Sequence, residues 1–222
     1  MKAFHRLHAL RLQNDETRAT MDAMAPRFER LRDRHSNGAA PRSFSAFQLF
    51  QTPPALAARM VALADPRPGL DWLEPSAGLG RIIRPIMATD PGSVTACEVD
   101  KELAGELFRE FPSLVLGQGD FLERKPTYEG GGALIVKPFP NGPVHFDRVV
   151  MNPPFHMRAD VRHTLHALRF LKPSGVLVGL CLATRHREEA LRPLADHWET
   201  IPAGAFRAEG TNVETILFRI RK

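Results

Sequence analysis

Between residues 53 and 155 the chain alternates short apolar runs with helix-compatible stretches, and this alternation limits the fold more than any other feature of the sequence. Leu70-Asp71-Trp72-Leu73, Val94–Asp100, Leu114-Val115-Leu116 and Phe146–Met151 read as strands. Helices are expected at 53–63, 81–88 and 101–110; beyond residue 155 follow a helix at 158–171, a strand at Val176–Ala183, a helix at 186–198 and a last alternating strand at Val213–Ile220. Repeated strand–helix–strand units build a mostly parallel sheet covered by helices on both faces. Ligands of such sheets bind beyond the carboxyl ends of the strands, so chemistry is expected where the chain leaves each strand.

The most constrained exit is Val149-Val150-Met151-Asn152-Pro153-Pro154-Phe155. Two prolines fix φ at successive positions and bias the preceding residue away from the helical region, which presets Asn152 and the first carbonyls in an extended geometry. The turn can then present the Asn152 side-chain oxygen and the Pro153 carbonyl to one amino group, with Phe155 as an exposed flat face on which a planar base stacks. By itself the tripeptide also fits a proline-capped strand end with a buried Phe.

A second exit, Glu74-Pro75-Ser76-Ala77-Gly78-Leu79-Gly80, holds two glycines of a dinucleotide fingerprint, but Ile83 stands where the third belongs, which disfavours NAD. A ligand with an ammonium and a nucleoside but no phosphate needs close backbone approach at Gly78 and Gly80 and an acid early in the loop, which Glu74 supplies. It also needs an acid at the end of the second strand for ribose hydroxyls, the place of Glu98. Asp120-Phe121, at the third exit, is placed to hydrogen-bond and flank an adenine ring. Thr52, before Pro53-Pro54, reads as a helix cap with proline in the first turn.

Composition narrows the setting. With 222 residues and 43% hydrophobic content the chain suits one domain plus an appendage. Cys97 and Cys181 lie inside apolar runs and read as core residues rather than metal ligands, so no metal is expected. The longest apolar run, Val176–Ala183, is too short to span a bilayer, and charges occupy the place of a signal peptide's apolar centre; a cytoplasmic protein without membrane contact is expected. The net charge of +5 is concentrated early, with nine Lys/Arg against five Asp/Glu in residues 1–45. Residues 3–13 and 16–34 read as two basic helices and 36–43 as a linker, giving an N-terminal helical appendage over 1–43 and a catalytic-looking domain over 44–222. Solvated faces or phosphate contacts both account for that charge. Residues 124–145, with Gly130-Gly131-Gly132 and prolines that include Pro138, Pro140 and Pro143, interrupt the alternation as a long loop.

Taken together, Leu73–Gly80, Glu98-Val99-Asp100, Gly119-Asp120-Phe121 and Asn152–Phe155 resemble the class I S-adenosylmethionine-dependent methyltransferases, specifically the adenine-N6 DNA methyltransferases. Phe50-Gln51-Thr52-Pro53-Pro54 looks like that family's N-terminal cofactor motif, placed before the glycine loop as in its gamma-type arrangement. Pro202–Thr215 is similar to the C-terminal segment of phage- and prophage-type members. The likeness spans residues 45–222 and implies a Rossmann-like α/β fold, with a mostly parallel seven-stranded sheet whose last strand is antiparallel.

The resemblance also implies S-adenosyl-L-methionine as cofactor, held by Phe50, Thr52, Pro53, Glu74, Pro75, Ser76, Ala77, Gly78, Gly80, Glu98, Val99, Asp120, Phe121 and Asn152. The catalytic turn would be Asn152, Pro153, Pro154 and Phe155, with Phe155, His156, Arg158, Arg207 and Asn212 towards the substrate. His156 reads as a turn residue rather than a general base. The expected reaction is methylation of adenine N6 in an extrahelical base of DNA. No stretch is long enough for a separate target-recognition domain, so a short or relaxed target sequence and a monomer are expected. Asn-Pro-Pro-Phe-His is shared with guanine-N2 ribosomal RNA methyltransferases, and protein glutamine methyltransferases also use an Asn-Pro-Pro-aromatic turn. RNA methylation therefore stays open, as does a non-catalytic nucleic-acid-binding module.

Overall fold

A computed structural model describes residues 50–125, 145–210 and 212–222. The expected N-terminal helices and linker, and most of the 124–145 loop, lie outside the described residues. In chain order the elements are α1 (Pro54–Leu63), β1 (Asp71–Glu74), α2 (Ile83–Met87), β2 (Ser93–Glu98), α3 (Lys101–Glu110), β3 (Val115–Gln118), β4 (Phe146–Met151), α4 (Ala159–Ala167), β5 (Leu171–Leu182), α5 (Arg185–Leu191), β6 (His197–Ile201) and β7 (Thr215–Arg221). The strands form one sheet in the order β3-β2-β1-β4-β5-β7-β6. Pairs among β1 to β5 are parallel, and β7 runs antiparallel to both β5 and β6. The strand order reverses between β1 and β4, so a crevice opens beyond their carboxyl ends, the usual ligand position in an open α/β sheet.

Residue alternation builds the two layers. Along β4 and β5, Val150, Val176, Val178 and Leu180 join a cluster with Leu56, Met60 and Val61 of α1 and Ile83 and Ile86 of α2. Their neighbours Val149, Met151, Leu177 and Cys181 point the other way, into a cluster with Phe121, Phe146, Phe170 and Phe218. Gly179 is required on that second face, since a Cβ there would stand 2.7 Å from the Phe218 ring. At the amino edge, Lys172 bridges Asp71 and Asp147, each at 2.8 Å, and so ties the starts of β1, β4 and β5 together.

Several local expectations change. The helix read over 186–198 stops at Leu191; Arg192-Pro193-Leu194 makes a single 3-10 turn and His197–Ile201 becomes the edge strand β6, with Trp198 packed 5.9 Å from Phe218. β5 is longer than expected, carrying the Lys172–Gly175 turn as an irregularity in which Ser174 adopts φ 64°. Thr52 does not cap α1: Pro53 holds the cap position, with Pro54 pre-set in the first turn, and no side chain caps the helix. The expected α3 and β4 have the observed boundaries, α3 because Asp100 accepts from the Glu102 and Leu103 amides at its N-terminus.

Candidate active site at the carboxyl edge of the sheet

Asn152 follows β4 directly, and its side-chain nitrogen donates to the Phe50 carbonyl at 2.7 Å and to the Thr52 hydroxyl at 3.0 Å. The carbonyl of Phe50 can only accept, which fixes the amide orientation: nitrogen towards the Phe50–Thr52 segment, oxygen away from it. That oxygen, Oδ1, is buried and has no partner among the described residues. Thr52 is thus bound up with the turn rather than with its own helix. Phe155, expected as an exposed face, is 4% exposed. Its ring packs at 5.3 Å and 32° against Phe50, because the Phe50–Pro53 segment lies across the turn.

The loop after β1 supplies further unmatched polar atoms. Glu74 is buried and accepts from the Ser76 amide at 3.4 Å through one oxygen; among the described residues its Oε2 and the buried Ser76 hydroxyl have no partner. Burial pushes the Glu74 carboxyl well above its usual range, opposed by the Ser76 amide and reinforced by the charge of Glu98. Glu98 ends β2 and accepts from the Gly78 amide at 2.7 Å and the Asp100 amide at 2.9 Å. Its carboxyl is also raised, by burial first, against the pull of those two amides. Glu98 therefore shapes the glycine loop while remaining at the place expected for a ribose-binding acid. Ala77 donates to the Cys97 carbonyl at 2.9 Å, which lays the loop along the end of β2. Pro75 makes the turn between Glu74 and Ser76, and Val99 is 60% exposed just past Glu98.

Gly78 and Gly80 both adopt left-handed backbone, at φ 52° and 70°. At Gly80 the missing Cβ would stand 2.8 Å from Phe111 and 2.9 Å from Leu107, so this glycine answers to helix packing against α3 rather than to an approaching ligand. Asp120 accepts from the Leu122 amide at 2.8 Å and caps the 3-10 turn Phe121–Glu123. Phe121 is 2% exposed and packed between His166 at 4.9 Å and Phe170 at 5.2 Å, so its ring is committed to the core and not free to flank a base. His163 lies against the same ring; burial pushes it down to about 4 and keeps it neutral, and its Nδ1 has no partner among the described residues.

The candidate substrate residues line the outer rim. His156, Arg158, Arg207 and Asn212 are exposed, and Arg158 donates to His186 at 2.8 Å. Met157 and Arg158 both hold positive φ, at 47° and 58°, and Met157 is 86% exposed. The register Ile201↔Thr215 and Leu182↔Thr215 sets the 203–214 connection, with Arg207 and Asn212, at the same carboxyl edge as the turn after β4. Among the described residues no cluster of His, Cys, Asp and Glu could hold a metal ion, and no helix is long and apolar enough to cross a membrane.

Two residues that no motif marks complete the site. Arg187 of α5 and Asp160 of α4 form a buried ion pair, and Arg187 Nη2 donates to the Phe155 carbonyl at 2.8 Å. Their separation of 27 positions and the lack of any short pattern leave no local signal by which sequence reading could have found them.

No family model and no curated protein matches this sequence. Solved structures do match. A Pyrococcus horikoshii protein named provisionally as an RNA methyltransferase aligns over 82% of this chain and 91% of its own, with 19% identity and a TM-score of 0.60. TrmN from Thermus thermophilus aligns over 76% of this chain and 48% of its own, at 22% identity and a TM-score of 0.57. The methyltransferase subunit of a type I restriction-modification system from Streptococcus thermophilus aligns over 78% and 45%, at 18% and 0.59. The chain thus spans about half the length of the latter two. The likeness shows that this chain has the Rossmann-like fold of the class I methyltransferases.

Proposed function

We propose that this protein transfers a methyl group from S-adenosylmethionine to the exocyclic N6 of adenine in DNA, with a short or relaxed target sequence. The observation that carries the reading is the buried, unpartnered Oδ1 of Asn152, held by two hydrogen bonds from its own amide nitrogen. A buried acceptor left unmatched is costly, and a donor delivered by a ligand relieves that cost. An amino group of a planar base supplies such a donor.

The residues fit the cofactor. Three of the seven buried unpaired side-chain atoms among the described residues, Glu74 Oε2, Ser76 Oγ and Asn152 Oδ1, lie at the exits of the adjacent strands β1 and β4. Glu74 Oε2 suits an ammonium, Glu98 suits ribose hydroxyls, and the exposed Val99 suits one face of the adenine. When bound, S-adenosylmethionine supplies an electrophilic methyl whose bond to sulfur breaks as the base nitrogen bonds to carbon, one amino proton leaving to solvent.

This chain's part is positioning. Asn152 Oδ1 accepts one N–H of the base amino group, and the Pro153 carbonyl the other. With both protons engaged, the nitrogen lone pair stands out of the base plane towards the glycine loop. Phe155 and Phe50, already in contact, form the apolar wall against which the base rests. The exposed cations Arg158 and Arg207 suit phosphates, and an extrahelical base is needed because the acceptor is buried. Support for DNA adenine over the alternatives comes from the sequence resemblance of Phe50–Pro54 and Pro202–Thr215 to the DNA adenine enzymes.

A second reading, RNA methylation, is favoured by one observation: the structural matches include the Pyrococcus horikoshii protein named provisionally as an RNA methyltransferase and one named as the 23S rRNA methyltransferase ErmE as well as the restriction-modification subunit. Incubation with labelled cofactor and unmethylated DNA or RNA, followed by nucleoside mass spectrometry, separates them. N6-methyladenine in DNA supports the first reading, methylguanosine in RNA installs the second, and no methylated nucleoside in either refutes both.

A further inference from the structure

We propose that Arg187 is a positioning residue for methyl transfer: it holds the Asn152–Phe155 turn from behind, through the carbonyl of Phe155, and is itself held by Asp160. The inference rests on the proposed methyltransferase reading and assigns a role to residues outside any motif used for it.

One guanidinium makes three contacts. Nε donates to Asp160 Oδ2, Nη1 to the Thr184 hydroxyl at 3.2 Å, and Nη2 to the Phe155 carbonyl at 2.8 Å. Asp160 is wholly buried, and its Oδ2 also accepts from the Leu182 amide at 3.3 Å, while Oδ1 accepts from the Val161 amide at 3.0 Å. The end of β5, the first turn of α4, the first turn of α5 and the carbonyl of Phe155 are therefore joined through two side chains. A buried pair is expensive to desolvate, and apolar residues of equal volume commonly serve stability as well. Stability alone thus does not account for a charged fork whose third arm ends on the base-binding turn.

Geometry explains why the turn needs such a support. Asn152 is tied on one side to Phe50 and Thr52, but prolines at 153 and 154 have no N–H with which to pin the turn. One residue beyond Phe155 the chain turns through two left-handed non-glycine residues, Met157 and Arg158, a conformation that persists only where surrounding contacts enforce it. The Phe155 carbonyl lies between these two segments. Arg187 fixes that point and with it the direction of the Phe155 ring and of the carbonyls that receive the amino group.

The test compares Arg187→Lys with the uncharged double variant Asp160→Asn/Arg187→Gln in the full chain. Lysine keeps the charge opposite Asp160 but lacks the planar fork whose separate Nε and Nη2 reach the carboxylate and the Phe155 carbonyl in fixed directions; the amide pair removes the charges altogether and is too short to reach Phe155. In whichever variant retains the wild-type circular dichroism, cofactor affinity and substrate KM should stay within about twofold, while kcat falls by about 10²-fold, the scale of a small misplacement of reacting groups. Wild-type kcat in either folded variant overturns the proposal, and so does a loss of kcat only in proportion to the unfolded fraction. If the wild-type protein methylates neither DNA nor RNA, the underlying reading fails instead, which separates the two failures.

Discussion

The side-chain nitrogen of Asn152 donates to the carbonyl of Phe50 at 2.7 Å, across 102 positions of sequence. Together with the bond to Thr52 this spends both amide protons on protein acceptors and leaves the amide oxygen for something else. Asn152→Asp should therefore be worse than a simple loss of charge neutrality, because it turns a carboxylate oxygen towards the Phe50 carbonyl. Thermal unfolding of Asn152→Asp should begin at a lower temperature than that of Asn152→Ala; the reverse order would show that the amide is not oriented this way.

Gly80 and Gly78 should separate when each is changed to Val. A side chain at Gly80 meets Phe111 and Leu107, so Gly80→Val should cost about 1–3 kcal/mol in denaturant unfolding. Gly78 donates to Glu98 from the loop itself, so Gly78→Val should weaken cofactor binding more than it weakens the fold. Equal cofactor affinity in wild type and Gly78→Val would remove the loop from the cofactor site.

Phe155 tests stacking only through a conservative change. Its burial against Phe50 makes Phe155→Ala a cavity-forming substitution worth about 3–5 kcal/mol of stability. Phe155→Leu should retain the fold and lose substrate affinity on the order of 1–3 kcal/mol if the ring supports a base. Unchanged binding of nucleic acid to Phe155→Leu would reduce the residue to packing.

Much of this was legible in the sequence, for physical reasons that differ by element. β4 and α3 were clear because one is an apolar run stopped by prolines and the other is capped by Asp100. β6 was not, since His197-Trp198-Glu199-Thr200-Ile201 is a mixed-polarity edge strand whose pairing partner among the described residues, β7, arrives later in the chain. The Asn152 turn and the Glu74 loop could be recognised by their local order. The burial of Phe155 and Phe121 could not, because an aromatic at a strand exit reads alike whether it faces ligand or core. Asp160 and Arg187 meet only through the tertiary fold.

Glu74 predicts proton linkage. Folding raises its pKa, so its contribution to stability is fully present below the unfolded carboxylate pKa and declines as pH rises through the folded one. A cofactor ammonium beside Oε2 favours the ionised form, so binding should release a proton, and affinity should rise with pH until Glu74 ionises in the free protein. Calorimetry in two buffers of different ionisation enthalpy reads the release. Glu74→Gln should abolish it and weaken binding; an unaltered release in that variant would place the titrating group elsewhere.

The most direct measurement is methyl transfer by Asn152→Ala beside wild type, on the nucleic acid that nucleoside mass spectrometry identifies as substrate, with cofactor affinity measured in parallel. The Oδ1 acceptor acts on the base amino group, so kcat should fall by about 10²–10³-fold, the scale of losing one preorganised polar contact to a reacting group. Cofactor affinity should change by less than about fivefold, well under the 1.4 kcal/mol that a tenfold change represents. Methyl transfer by Asn152→Ala at the wild-type rate would contradict the assignment of this turn as the catalytic centre.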